Sequence, residues 1–144
     1  MYIVPATLAD QEEWVALRRA LWPNADDGEI ERMLKEPARF GAFIARETEG
    51  SAIGFAEASL RHDYVNGCKT SPVGFLEGIY VKPLCRRQGV AASLVSAVEQ
   101  WTLAQGASEI ASDALIDNVE SHRMHRAIGF QETERVVFFR KRLR

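Results

Sequence analysis

Six consecutive residues, Arg86-Arg87-Gln88-Gly89-Val90-Ala91, have the types and spacing of an anion-binding turn. A strand-like segment stops at Pro83 just before them, and a helical pattern begins at Val90. The first N–H groups of a helix have no partner within it and sit at the positive end of its dipole, so backbone donors there can hold a diphosphate. Gly89 allows close approach, small Ala91 leaves room beside the first turn, and Arg86 and Arg87 add charge around it. The same residues also suit an ordinary basic turn facing water. They lack the Gly-Lys-Ser/Thr end of a triphosphate-binding loop and the three glycines of a dinucleotide fingerprint. A second oddity is Glu77, which stands amid Phe75, Leu76, Ile79 and Tyr80. A carboxylate there must be paired or directed into a cleft, because burying it alone is costly.

The elements that would position these residues follow from periodicity and punctuation. Gly74 to Val81 carries aromatic and β-branched residues on both sides of a period-two pattern, as a strand does. Val90, Leu94, Val95, Val98 and Trp101 fall on one helical face, and Gly106 is a stop. Upstream, Met1 to Val4 reads as a short strand. Thr7 with Asp10 three residues later starts a helix whose inner stripe is Trp14, Leu17 and Leu21, ended by Pro23. A second short helix is expected from Gly28 to Glu36, with Pro37 beyond it. Phe40 to Arg46 and Ala52 to Leu60 form a hairpin around Glu49-Gly50, and Asn66-Gly67 marks a turn in the segment that follows.

Downstream of the long helix come a strand at Ser108 to Asp113, a helix from Asn118 to Ile128 closed by Gly129, and a last strand from Glu132 to Arg140. This order implies an α/β fold, a mixed central β-sheet with helices on both faces, with a right-handed parallel crossover from the Glu77 strand to the Asp113 strand. Val136 to Phe139 put apolar side chains on both faces of the last strand. Two explanations stand open: a central position in the sheet, or burial against a second subunit.

A chain of 144 residues with 47% apolar residues suits one domain, taken here as 1–144, with a sizeable core. Its 18 basic and 20 acidic residues leave a net charge of -2, which gives no electrostatic case for nucleic-acid binding. The basic tail Arg140 to Arg144 reads as a solvated terminus. No apolar run is long enough to cross a membrane, and no secretion-type segment precedes Asp10, so a cytoplasmic location without membrane partners is expected. Cys68 and Cys85 make neither a metal-like pair nor a disulfide framework, and no metal is expected.

The strand, the Arg-x-x-Gly-x-Ala turn at 86 to 91, the Asp113 strand and the ending His125-Arg126-Ala127-Ile128-Gly129-Phe130 together resemble the acetyl-CoA-dependent N-acetyltransferase superfamily with its GNAT fold. Leu21-Trp22-Pro23, Arg61 to Cys68, Phe75 to Ile79, Ala111-Ser112-Asp113 and Glu132 to Val136 are similar to the aminoglycoside 6'-N-acetyltransferases. That resemblance implies transfer of acetyl from acetyl-CoA to the 6' amine of cationic aminoglycosides, resistance to these antibiotics, and a homodimer. It assigns Arg86, Arg87, Gln88, Gly89, Val90 and Ala91 to the CoA pyrophosphate. It further gives the backbone of Ile79 and Val81, with Asn118, to pantetheine.

An amine must be neutral to attack a thioester, whereas an aminoglycoside amine in water is largely protonated, so the expected site contains a proton acceptor in negative surroundings. Asp113 at a strand end is the first candidate, directly or through water, and Glu77 the second; capping and structural pairing are their respective alternatives. Neither cysteine bears a local feature of an activated thiolate, so direct attack in a ternary complex is expected. The superfamily often has Tyr four residues before the Gly-Phe pair, where this chain has His125. Histidine can protonate a leaving thiolate near neutral pH, or serve only as a packed helix residue. Trp22, Asp26, Tyr64, Glu77, Asp113 and Glu134 are expected to line the acceptor site, with Asp27 nearby; helix capping competes for Asp26 and Asp27, and core packing for Trp22. Acetylation of a polyamine, another small amine or a protein N-terminus, and a non-catalytic acyl-CoA-binding regulator, are the competing readings.

Overall fold

The computed structural model describes residues 1–144 and resolves into two compact units, Met1–Asp113 and Ala114–Arg144. The first unit holds a five-stranded sheet in the order β1-β2-β3-β4-β5. Its strands are β1 (Tyr2–Pro5), β2 (Phe40–Arg46), β3 (Ala52–Arg61), β4 (Val73–Val81) and β5 (Ile110–Ser112). The first four pair antiparallel, and β4 pairs with β5 in parallel, so the sheet is mixed as its element order requires. The helices are α1 (Gln11–Leu21), α2 (Gly28–Lys35) and α3 (Val90–Ala104), while α4 (Val119–Ala127) lies in the second unit.

Both faces of the sheet carry helices. Phe55 and Glu57 of β3 meet α1, where Trp14, Leu17, Ile30 and Ile44 form a buried cluster with Phe55. Gly54 of the same strand approaches Leu94 of α3 on the opposite face. The α3 layer is drawn close by missing side chains: a Cβ on Gly41 would overlap the Trp101 ring, and one on Gly74 would overlap Thr102. Leu94, Val95 and Val98 are completely buried there, matching the expected apolar stripe.

The helix start at Thr7 is real but more elaborate than a single cap. Residues Leu8–Asp10 make a turn of 3-10 helix before α1, and the Thr7 N–H donates to Asp10 Oδ2 at 2.7 Å. Asp10 Oδ1 then accepts from Arg46 Nη2 at 2.6 Å, while Arg46 Nη1 reaches Glu13 Oε1 at 2.9 Å and the Gly50 carbonyl at 2.6 Å. Glu13 also accepts the Ala52 N–H at 3.1 Å. One guanidinium thereby ties the start of α1 to both ends of the β2–β3 turn.

The expected last strand is absent. Residues 131–144 belong to no strand or helix, and Val136, Val137, Phe138 and Phe139 are 54%, 74%, 90% and 92% exposed. Of the two explanations for this apolar run, a central position in the chain's own sheet is excluded, because no sheet ladder includes it and its side chains are uncovered. The β5 segment is also shorter than the composition of 108–113 suggests, with only Ile110–Ser112 paired.

The Asp10–Arg46–Glu13 cluster makes stability depend on acid in a defined direction. Burial works against the Asp10 charge, but the Thr7 N–H and Arg46 outweigh it and hold the carboxyl below its ordinary value; Arg46 and the Ala52 N–H do the same for Glu13. Folded-state values below the unfolded ones mean stability that is present above about pH 4 to 5 and lost as pH falls through the folded values. Thermal melts from pH 7 downward should show the midpoint falling in that acid range. Asp10→Asn should lower the midpoint at pH 7 and flatten its fall in acid, and an unchanged acid limb would refute the role of Asp10.

Candidate active site

The site begins with one extra residue in β4. Glu57 of β3 pairs with Gly78, and its neighbour Ala58 pairs with Leu76, so Glu77 has no cross-strand partner and forms a β-bulge. The bulge shifts the phase of the strand. Phe75 contacts Arg61 and Glu77 contacts Ser59 and Arg61 on the α1 face, as alternation dictates, yet Gly78 and Tyr80 also face that side, against Trp22 and the α1 cluster. Two consecutive residues, Glu77 and Gly78, therefore face the same side of the sheet. A Cβ on Gly78 would overlap the six-membered ring of Trp22, so Trp22 lies directly on the bulged backbone.

The Glu77 carboxylate is accessible and held from two sides. Ser59 Oγ donates to Oε1 at 2.6 Å, and Arg61 donates from Nη2 to Oε1 at 2.8 Å and to Oε2 at 3.0 Å. The Arg61 guanidinium lies 3.5 Å from the centroid of the Phe75 ring.

A second carboxylate, Glu57, is buried beneath the cleft. It accepts from Trp14 Nε1 at 2.8 Å and from Arg18 Nε at 2.6 Å. Arg18 continues to Glu29 at 2.7 Å and to the Asp26 carbonyl at 3.2 Å, and its guanidinium lies 5.2 Å from the Trp22 ring centroid. Burial opposes the Arg18 charge, but Glu57 and Glu29 overcome it and hold the guanidinium above its ordinary value. This network fixes the α1–α2 connection and the Trp22 wall together. The resulting cleft of about 1090 Å³ is lined from β3, β4, α1, α2 and the loop after β3, including Trp22, Glu29, Arg61, Tyr64 and Glu77.

At the other end of β4 the backbone changes partners. Pairing with β5 covers only Gly74–Leu76, so the β5-side ladder stops at the bulge, and Ile79 and Val81 lie beyond it. Pro83–Cys85 make a short 3-10 turn, Arg87 and Gly89 adopt positive φ of 62° and 82°, and Gly89 becomes the N-cap of α3. Ser93 is the residue whose N–H closes on Gly89 O, at 3.0 Å, which leaves the preceding first-turn donors of α3 outside the helical ladder. Left-handed residues just before a helix start, together with the free first-turn N–H groups of that helix, form a concavity suited to an anion. Arg86 also braces the turn. Its Nε donates to the Val81 carbonyl at 2.8 Å and its guanidinium lies 5.5 Å from the Tyr80 ring centroid, so it anchors the turn to β4, while Arg87 and Gln88 are exposed.

The remaining expected residues divide into several groups. Asp113 is exposed and directly follows β5, one step past the Leu76–Ser112 pair just as Glu77 is one step past Leu76. Tyr64 is 81% exposed and lines the cleft. Asp26 does not line it; its Oδ1 accepts the Gly28 N–H at 2.9 Å, and Asp27 pairs with Arg19 at 2.9 Å. In the second unit, Asn118 caps α4 by accepting the Ser121 N–H at 3.2 Å. His125 Nδ1 lies 2.7 Å from the Ser121 carbonyl, with its ring edge-on to Phe130. Glu134 is exposed. Cys68 is no activated thiolate, because burial and Glu109 push its thiol up.

Residues 8–130 match the acetyltransferase (GNAT) family. The chain belongs to that family. As an acetyltransferase it is 52% identical over 136 residues to the aminoglycoside N(6')-acetyltransferase type 1 of Serratia marcescens, with 92% of each chain covered. It is 50% identical to the enzyme of the same name from Stenotrophomonas maltophilia, covering 94% of this chain and 89% of that one. Its backbone superposes with a TM-score of 0.91 on AAC(6')-Iy in complex with the bisubstrate analogue CoA-S-monomethyl-acetylneamine, at 48% identity, covering 98% of this chain and 97% of the other. The corresponding TM-score for the aminoglycoside 6'-N-acetyltransferase AAC(6')-Ih from Acinetobacter baumannii is 0.92, at 45% identity, with coverage of 99% and 98%. The GNAT fold expected from the sequence is the fold of this acetyltransferase.

Sequence reasoning missed Arg18, Glu29, Glu57, Ser59 and Arg61. Glu57 carried the same signal as Glu77, a carboxylate inside an apolar strand, and Arg18 sits four residues from both Trp14 and Trp22 on the inner helical face. The acetyltransferase is predicted to reveal their coupling in a double-mutant cycle. Arg18→Met leaves Glu57 buried without its cation and should cost about 3 to 5 kcal/mol in urea unfolding. Arg18→Met combined with Glu57→Leu should recover most of that loss, whereas additive losses would show that the two do not act as a pair.

Proposed function

We infer that this chain is an aminoglycoside 6'-N-acetyltransferase that moves acetyl from acetyl-CoA to the 6'-amino group of its acceptor. The carrying observation is likeness at 45–52% identity, over nearly the whole chain, to relatives that bear this activity in their names. The cleft, at about 1090 Å³, has room for a multi-ring acceptor. The family match crosses the boundary between the two compact units, which supports treating residues 1–144 as one N-acetyltransferase domain. A cytoplasmic location agrees with this chemistry, and no helix is long and apolar enough to cross a membrane.

In this reading the turn from Arg86 to Ala91 holds the CoA pyrophosphate, mostly through backbone N–H groups. Ile79 and Val81 offer backbone along pantetheine, and Asn118 adds a further contact. Asp113 accepts the proton that leaves the acceptor ammonium, directly or through water, while Glu77 binds and orients the cation. The neutral amine attacks the thioester carbonyl, backbone N–H groups of the bulged strand stabilise the developing oxyanion, and the C–S bond breaks. His125 supplies the proton taken up by the departing sulfur, and the second proton lost from the amine nitrogen as the intermediate collapses to the amide returns through water to His125. Trp22 and Tyr64 present aromatic surface to the sugar rings, with Asp26 and Glu134 as outer carboxylates.

Purified protein with acetyl-CoA and kanamycin or tobramycin should release CoA and yield the 6'-acetylated product, and its expression in a susceptible host should raise resistance to both. Asp113→Asn should lower kcat by about 100-fold or more. Rapid acetylation of a polyamine or peptide with no turnover of 6'-amino aminoglycosides would overturn the acceptor; CoA binding without any transfer would indicate a regulator.

The protein acts as a homodimer in this reading, with the exposed Val136 to Phe139 run covered by a second copy. Four adjacent apolar residues of strand type, exposed by 54% to 92%, support it. Light scattering should give twice the chain mass of 16.1 kDa, and Phe138→Asp with Phe139→Asp should give the monomer. A monomeric parent protein would refute it.

A further inference from the structure

The acceptor cleft is charge-balanced as it stands. Four guanidinium groups line it, from Arg18, Arg32, Arg39 and Arg61, against four carboxylates, from Glu29, Glu57, Asp63 and Glu77. Such a cleft has little net attraction for a polycation. Among these pairs Arg18–Glu57 is buried, with side chains 3% and 4% exposed, and cannot exchange without stranding a charge. Arg61–Glu77 is different: its side chains are 42% and 35% exposed, in the range where an ion pair contributes little and reforms readily with another cation.

We propose that Arg61 is an internal stand-in for the acceptor, occupying the Glu77 carboxylate until a substrate ammonium displaces it. The proposal rests on the aminoglycoside reading above. Three features of the geometry carry it. Arg61 donates to both Glu77 oxygens, so a second cation arriving at that carboxylate meets a guanidinium already paired with it. Ser59 holds Oε1 independently at 2.6 Å, so Glu77 stays oriented after the guanidinium leaves. Arg61 also covers the face of Phe75, which is only 6% exposed beneath it. Its departure uncovers an aromatic face beside a free carboxylate, and an aminosugar carries the matching pair of groups, a ring and an ammonium. The exchange selects against neutral acceptors, because only a cation can replace the guanidinium without leaving Glu77 unpaired.

Arg61 is thus a specificity-determining residue whose removal should help the correct ligand. Arg61→Met keeps an aliphatic stem over Phe75 and removes the charge. In calorimetric titrations with neamine, Arg61→Met should bind about three- to tenfold more tightly than the parent, since the competing pair is worth about 1 kcal/mol and 1.4 kcal/mol is tenfold. Affinity for CoA should be unchanged. Glu77→Gln should bind neamine more weakly than the parent, and adding Arg61→Met to it should change affinity by less than about twofold, because no competition for the carboxylate remains. Weaker or unchanged neamine binding by Arg61→Met, with a parent-like thermal melt, would overturn the proposal; so would the same gain in both backgrounds. Lysine in place of Arg61 keeps the competing charge but neither the fork nor the stacking on Phe75, so its neamine affinity should fall between those of the parent and Arg61→Met. These are binding measurements, so a parent protein that binds neamine without acetylating its 6' amine would refute the activity and leave the displacement still tested.

Discussion

The extra residue in β4 decides which carboxylates face each other. Were β3 and β4 in unbroken register from the Ala58–Leu76 pair, Glu57 would lie directly opposite Glu77, two like charges on neighbouring strands of one face. Making Glu77 the bulged residue places Gly78 opposite Glu57 instead. The missing Gly78 side chain leaves room for Trp22 on that spot. Both residues face α1, and β4 stops pairing with β5 at the same point, so the cleft wall and the unpaired strand edge have one origin. Bulges re-aim side chains and end pairing in just this way near active sites.

Each separated carboxylate then takes its own arginine, and burial gives the two pairs opposite characters. Arg18 and Glu57 are locked by Trp14, Glu29 and the Asp26 carbonyl, which makes their pair a joint between α1, α2 and β3. Arg61 and Glu77 are solvated and stacked on Phe75, so their pair belongs to the surface of the cleft. Stability and ligand response can be tuned separately, because the groups responsible for them share a strand but no hydrogen bond.

Much of the first unit was legible because its signals are local. Thr7 with Asp10, the Pro23 and Pro37 stops, the Glu49-Gly50 turn and the α3 stripe each act within a few residues of themselves. The turn before α3 was legible for the same reason: Gly89 at positive φ and the start of α3 are adjacent in sequence. Glu77 was recognisable as anomalous, but the bulge that explains it depends on the register of two strands and has no signature in either alone. Arg18–Glu57 spans 39 residues, and Arg61 paired with Glu77 across a loop, so neither partner could be chosen from spacing. The strand expected at Glu132 to Arg140 failed for the complementary reason. Its composition states a need for covering on two faces, whereas what supplies the cover is a tertiary or quaternary matter that period-two patterning does not encode.

That contrast separates the two ends of the site in physical terms. The end at the Arg86 to Ala91 turn is built from main-chain groups whose direction is set by φ angles at Arg87 and Gly89 and by the first turn of α3, with Arg86 bracing β4. Such a cradle tolerates many side chains and imposes few, so a short motif suffices to mark it. The cleft end is built from side-chain charges that must first neutralise one another to exist in a half-buried cleft. Its selectivity therefore resides in which of those pairs can open, a property of relative burial and competing partners. Two sequences with the same turn can differ entirely at that end by exchanging a few residues on β3, β4 and α1, because none of the backbone from Arg86 to Ala91 would have to move.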